Sequence, residues 1–475
     1  MKQTLIFCII SLCLLNCRPE KELAFAANYN SPKIIAAIDS IGTNFIRKGK
    51  VLGFSVAVLT KGDTLYNGAF GFMDSARTQP TTTKTIYKIA SLTKPHVTTV
   101  VLKLAEEDKL SLSDYLYDWL PDYPNAEHAK KITLRNLITH TSGIPDYITE
   151  IDSLFLLTGV APTKKSYYDF VANKPLLFEP NSGFAYSNTG FVLMGMIIEK
   201  ATGKSLENEI ERVIAGPMNS TSLRHFSEHL DNRLYSKSFE LRDTVIGLSP
   251  MNAFTWIRGD GGWSNTAIEL AHFPFGLSDG TLLSRASLAQ MTRPQNLDNG
   301  IEVDYGLGLR MGKFNGEKVW GHTGGDASTW AMMQFFPQRE LSIAVLVNTN
   351  STPHSALEIW GHVALAVLNI NSNGHKGIEV TSAEREKFKG DYQTLTNRST
   401  RTISIFTSED GSEFYTKVKN SSSNGNLLHY LGNQTFALDA YPMDRIVFHS
   451  NEAGEVLGYS FYANGSFRSM RLKLP

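Results

Sequence analysis

The chain has 475 residues, long enough for two domains and a leader, and 42% are hydrophobic, enough for a sizeable core. Lys+Arg and Asp+Glu both total 46, so the formal net charge is zero and nothing in the charge balance draws the chain to nucleic acid. All three cysteines (Cys8, Cys13 and Cys17) lie near the start, which excludes disulfides, a thiol nucleophile and a cysteine metal site from the rest of the chain.

Lys2 followed by the short apolar run Leu5 to Leu15 reads as a leader, too short for an ordinary membrane-spanning helix. Leu14-Leu15-Asn16-Cys17 then resembles a bacterial lipobox, in which the Cys becomes the lipidated first residue. The expectation is a lipoprotein-type signal peptide over 1–17 and a polar tether over 18–30. The protein would then be exported to the bacterial cell envelope and held in a membrane by lipid on Cys17, facing the periplasm or the cell surface. A plain signal peptide cut nearby is the alternative. No later stretch is long and apolar enough to span a bilayer.

Ser31-Pro32 opens a helix, with Ile34, Ile38, Ile41 and Phe45 on one face. Phe54–Leu59 and Thr64–Phe72 read as strands around the turn Lys61-Gly62-Asp63. A helix follows Ser91, with Val97, Val100, Val101 and Leu104 on one face, and others run from Thr189 to Thr202, stopped by Gly203, and from Ser205 to Ile214. Trp330–Phe336 and Leu341–Asn348 form a second hairpin, and Ser355 is the expected N-cap of a helix to Leu368. Strands at both ends with helices between predict an α+β body over 31–370. The Asn/Ser/Gly-rich stretch 371–377 reads as a linker. Beyond it short alternating strands (Thr402–Phe406, Glu413–Val418, Arg445–Phe448, Val456–Tyr462 and Phe467–Leu474, the last two turning at Asn464-Gly465) predict a small all-β barrel over 378–475.

Three constellations carry chemistry. In Ser91-Leu92-Thr93-Lys94 the i, i+3 spacing puts Ser91 and Lys94 on one helix face, where a lysine can activate a hydroxyl that is otherwise a poor nucleophile. In Tyr186-Ser187-Asn188, a Tyr and an Asn two residues apart can face one cleft, the Tyr as a base and the Asn holding Lys94 and a substrate carbonyl. In Trp320-Gly321-His322-Thr323-Gly324-Gly325, the glycines permit close backbone approach to a ligand and a backbone N–H for an oxyanion hole. Taken singly, each also fits a plainer role: a solvated helix face, a buried Tyr beside a helix-capping Asn, and a Gly-rich strand edge with an exposed His. No metal cluster, phosphate loop or nucleotide fingerprint is present in the sequence.

Together, the order Ser-x-x-Lys, Tyr-x-Asn, His-Thr-Gly resembles the serine β-lactamase-like superfamily of class C β-lactamases, DD-peptidases, D-aminopeptidases and related esterases. The stretches Tyr87–Pro95, Leu104–Leu112, Leu134–Gly143, Ala201–Ser205 and Gly259–Trp263 are similar to it as well, so the likeness runs from about Ser31 to Leu368. The resemblance implies an antiparallel sheet flanked by helices with an all-helical subdomain, and a barrel of the lipocalin-like kind appended to this family. It implies that Ser91 attacks, that Lys94 and Tyr186 share the proton transfers, and that Asn188 positions Lys94 and substrate. His322, Thr323, Gly324 and Gly325 would bind substrate, with the Ser91 and Gly325 N–H groups holding the oxyanion. It implies no cofactor. His140 more readily supports the fold than reacts. His322 stands where β-lactamases usually carry Lys, which favours a hydrolase of small peptides, amides or esters over a genuine class C β-lactamase or DD-carboxypeptidase. A lipoprotein that recognises penicillin and acylates without turnover is the reading from another class. The sequence does not fix the oligomeric state.

Overall fold

The computed structural model describes residues 31–49, 51–242, 245–326, 328–350, 355–370, 377–396 and 401–474. The leader, the tether and all but Gly377 of the linker lie outside the described residues.

Six antiparallel strands form the central sheet: β1 (Gly53–Thr60), β2 (Asp63–Gly71), β3 (Arg310–Phe314), β4 (Glu317–Gly325), β5 (Trp330–Phe336) and β6 (Leu341–Val347), in the order β3-β4-β5-β6-β1-β2. The first and last strands of the body, β1 and β6, therefore pair inside the sheet, Phe54 opposite Val347. Alternation along β1 feeds two cores. Phe54, Val56 and Val58 join Trp360 on one face, while Ala57 and Leu59 join Leu270 and Ala271 on the other.

Helices cover both faces. Helix α1 (Ser31–Arg47) lies on the first face. The chain then builds a helical layer from α2 (Thr93–Glu106), α3 (Leu134–Ile138) and α4 (Asn188–Thr202). A capping box between Thr133 and Asn136 starts α3, and left-handed Gly203 (φ 68°) stops α4. Helix α5 (Ala267–Ser278) returns to the second face against β1 and β6, and α6 (Ser355–Val367) closes the first face beside α1. The expected N-cap at Ser355 is not made: this residue already belongs to α6, and its buried hydroxyl has no hydrogen-bond partner among the described residues.

Eight strands close the C-terminal barrel: β7 (Gly390–Gln393), β8 (Thr402–Thr407), β9 (Phe414–Val418), β10 (Asn426–Gly432), β11 (Thr435–Leu438), β12 (Tyr441–Ser450), β13 (Val456–Ala463) and β14 (Ser466–Lys473). Asn464 (φ 48°) and Gly465 (φ 74°) make the expected tight turn. That hairpin tip does not hang free. Tyr462, Phe467 and Met470 share a core with Phe184, Leu297, Ile301, Val303 and Tyr305 of the first body. Asn464 Nδ2 donates to Leu357 O at 3.0 Å, and the backbones meet so closely that a Cβ on Gly312 would fall 2.0 Å from Gly465 O.

Candidate active site

Ser91 sits in a 3-10 turn, Ala90–Leu92, that leads into α2. Ala90 has φ 44°, a left-handed conformation that costs a non-glycine residue about 1–2 kcal/mol. Strain of this kind persists where surrounding structure imposes it, here immediately before the candidate nucleophile.

One turn on, Lys94 is wholly buried. Its Nζ lies 3.0 Å from Ser91 Oγ, 2.7 Å from Asn188 Oδ1 and 2.7 Å from the Asp260 backbone O. Two of these partners are carbonyl oxygens and can only accept. Lys94 Nζ donates to the Ser91 hydroxyl as well, so these three contacts hold the lysine head against the nucleophile. Asn188 opens α4, and its Nδ2 donates to Asp146 at 3.0 Å. Asp260 is brought in by a loop with two left-handed glycines, Gly259 (φ 71°) and Gly262 (φ 85°). Burial pushes the Asp260 carboxyl up to about 6, and Tyr147 donates its hydroxyl to Asp260 Oδ2 at 2.8 Å.

Tyr186 closes the other side. Its ring centre lies 5.0 Å from Lys94 Nζ and 4.9 Å from the Arg310 guanidinium carbon. Burial by itself would raise the phenol's pKa, but the charges of Lys94 and Arg310 outweigh it and lower the value below 10. The Tyr186 hydroxyl is buried and has no hydrogen-bond partner of full geometry among the described residues.

Behind Tyr186 runs a chain of hydrogen bonds whose direction is fixed at each link. The Ser187 N–H donates to His140 Nδ1 at 3.1 Å, so the His140 proton is on Nε2, 3.1 Å from the Tyr305 oxygen. Tyr305 then donates to His322 Nε2 at 3.1 Å, and His322 Nδ1–H donates to Thr323 O at 2.6 Å. Both imidazoles are neutral. Burial holds their pKa values well below 6.5, reinforced by the charges of Lys94 and Arg310. This chain ties the Tyr-Ser-Asn segment to strand β4. The end of β4 in turn lies against the Ser91 turn, where a Cβ on Gly324 would fall 1.9 Å from Ile89 O.

The family model described as Beta-lactamase matches residues 37–368. The chain belongs to the Beta-lactamase family. Penicillin-binding protein 4* of Bacillus subtilis is 31% identical over 303 residues, 60% of this chain and 66% of its own length, so the chain spans about two thirds of that relative. A D-stereospecific amidohydrolase from a Streptomyces species is 26% identical with a TM-score of 0.57, covering 70% of this chain and 97% of its own. The octameric penicillin-binding protein homologue of Pyrococcus abyssi has a TM-score of 0.63 at 24% identity, over 92% of this chain and 99% of its own; that likeness includes the barrel and speaks to the fold alone. As a Beta-lactamase family member with this site, the protein is a serine hydrolase.

The structure brings Ser91, Lys94, Tyr186, Asn188 and the β4 segment Thr323–Gly325 together, and it corrects one sequence expectation there. His322 is neither exposed nor a substrate contact: it has no accessible surface, and both ring nitrogens are engaged internally. Asn188 holds Lys94 through Oδ1, and its amide nitrogen donates to Asp146. Sequence reasoning missed Asp260 as a Lys94 partner, although it lies in a run noted for family likeness. It also missed Asp146, Tyr305, Arg310 and Arg468, none of which stands in a recognisable motif. Cys17 lies outside the described residues.

Proposed function

We propose that this protein cleaves small peptide, amide or ester substrates through an acyl-enzyme on Ser91. The observation that carries this reading is the placement of Lys94 Nζ, 3.0 Å from Ser91 Oγ and fixed by two carbonyl acceptors. Ser91 Oγ attacks the substrate carbonyl carbon while its proton passes to the Lys94–Tyr186 pair. Negative charge on the carbonyl oxygen is met by the Ser91 and Gly325 N–H groups. The carbon–nitrogen or carbon–oxygen bond then breaks, and the leaving group takes the proton through Lys94 and Tyr186. Water attacks the ester so formed; Tyr186, eased towards its anion by Lys94 and Arg310, accepts the water's proton, and Ser91 leaves reprotonated. The relatives named for penicillin binding and for amide hydrolysis support an amide or peptide bond as the target.

A fluorophosphonate probe should label the wild type one to one and leave Ser91→Ala unlabelled with its melting temperature preserved. Stoichiometric labelling of Ser91→Ala overturns the nucleophile. Labelling of the wild type without turnover of any ester or amide would make it an acyl-accumulating sensor.

The leader and Cys17 support export and lipid anchoring at the bacterial cell envelope. A palmitate analogue should mark the wild type in a bacterial host and miss Cys17→Ala; an unmarked wild type leaves a simple secreted protein.

A further inference from the structure

The cleft is strongly cationic at the end where β4 meets the barrel. Arg310, on β3, is 6% exposed and donates from Nη1 to the carbonyls of Phe467 (2.7 Å) and Arg468 (3.2 Å), both on β14. Its Nε is buried with no hydrogen-bond partner among the described residues. Arg468 reaches back from the barrel, and its Nη1 donates to Thr323 Oγ1, in the segment that lies against the Ser91 turn. Among the described residues neither guanidinium has a carboxylate within ion-pair distance. Asp444, the acidic group on the barrel side that feels Arg468, accepts a hydrogen bond from the Asn464 N–H at 3.1 Å. Tyr186, which can carry negative charge, lies beside both arginines. Two guanidiniums drawn largely out of water with no carboxylate in contact are costly, and a site that retains them beside a nucleophile gains most when an anion arrives. His322 cannot supply the charge that a lysine would, because it is buried, neutral and doubly hydrogen-bonded.

We propose that Arg468, delivered by the β13–β14 hairpin of the barrel onto Thr323, is a specificity-determining residue that selects substrates bearing a carboxylate near the scissile bond. The barrel is then one wall of the catalytic cleft. Arg310 is the support: it fixes the β14 backbone at Phe467 and Arg468 and so aims the Arg468 side chain. A planar guanidinium suits a carboxylate because it offers two parallel N–H donors. The proposal rests on Ser91 being the nucleophile.

The test uses the full chain and two aryl esters of phenylacetylglycine with matched leaving groups, 3-hydroxybenzoate and 3-hydroxybenzamide. They differ only in whether the leaving group carries a carboxylate. The wild type should prefer the carboxylate ester in kcat/KM. Arg468→Gln should lower that preference about ten- to a hundredfold, the range of one charge-assisted hydrogen bond. The loss should fall mainly in KM, and Arg468→Lys should restore part of it. An unchanged ratio in Arg468→Gln overturns the proposal. So does an equal loss on both esters, which would mean that Arg468 only holds β4 in place. Fluorophosphonate labelling of the same preparations reports Ser91 separately: absent labelling of the wild type sinks the acyl-enzyme reading. In that case 3-hydroxybenzoate against 3-hydroxybenzamide binding to the unreacted protein, measured by calorimetry in the wild type and Arg468→Gln, still decides the role of Arg468. Loss of the carboxylate preference on substitution supports it, and no preference in the wild type overturns it.

Discussion

Tyr305 donates its hydroxyl to His322 Nε2 at 3.1 Å, and that one bond determines what the histidine of the His-Thr-Gly segment can do. The accepting nitrogen is occupied, the other donates to Thr323 O, and the ring is shut away from the cleft. Read from the sequence, His322 is a substrate contact. In the structure it braces β4 against the Tyr186 segment.

His322→Lys should therefore not create a carboxylate site. It would lose the bond from Tyr305 and add a buried cation close to Lys94 and Arg310. The expected result is a loss of about 3–5 kcal/mol of stability, the scale of an uncompensated buried charge. Urea unfolding of both proteins at neutral pH checks this. A stable variant that binds carboxylates more tightly would return His322 to the substrate side.

Tyr186 acts as a base only when deprotonated, so activity should rise with pH and level off above its pKa. Burial opposes the anion, but Lys94 and Arg310 favour it more, which places the rise below that of a free phenol near 10. Arg310→Gln removes one of the two cations and should move the rising limb to higher pH. The check is kcat/KM for a neutral aryl ester across pH in both proteins. A substitution that merely loosened the barrel would lower the whole profile without moving it.

Gly324→Ala should disable the site from the strand side. The new Cβ would lie 1.9 Å from Ile89 O, a backbone atom that cannot swing aside, so the Ser91 turn must shift. Losing alignment with the oxyanion donors is expected to cost about a hundred- to a thousandfold in acylation rate. The accompanying loss of stability should be about 1–3 kcal/mol. Stopped-flow labelling with a fluorophosphonate and a melting curve measure the two effects, and wild-type labelling kinetics would refute the contact.

A chain ending near residue 370 should not behave as an independent enzyme. From the sequence, the barrel reads as a separate β domain beyond a linker. In the structure, removing it exposes the Phe184, Val303 and Tyr305 side of a shared core and takes away the carbonyl partners of Arg310. Expression of the shortened chain should give insoluble or inactive protein; a soluble form with wild-type ester turnover would show that the barrel is dispensable.

Much of this protein is set by local sequence. The spacing of Ser91 and Lys94 follows from helical geometry, Gly203 stops its helix because a left-handed residue is needed there, and Asn464-Gly465 turns the barrel hairpin for the same reason. The order of the three motifs is enough to imply the family. Strands β10 and β11 are less legible in the sequence, because neither continues a strict apolar alternation and their turn, at Asn433 and Gln434, contains no glycine. What only the tertiary structure decides is which polar groups meet. Residues 140, 305 and 322 make one hydrogen-bond chain, and residues 310, 323 and 468 one cationic wall, although the members of each lie up to about 180 and 160 positions apart. Such contacts leave no period in the sequence, since each is made by a different pair of elements. Burial then sets the charge: the same imidazole that would titrate near neutrality in water stays neutral inside, and the cation at the cleft is supplied by a strand from another part of the chain.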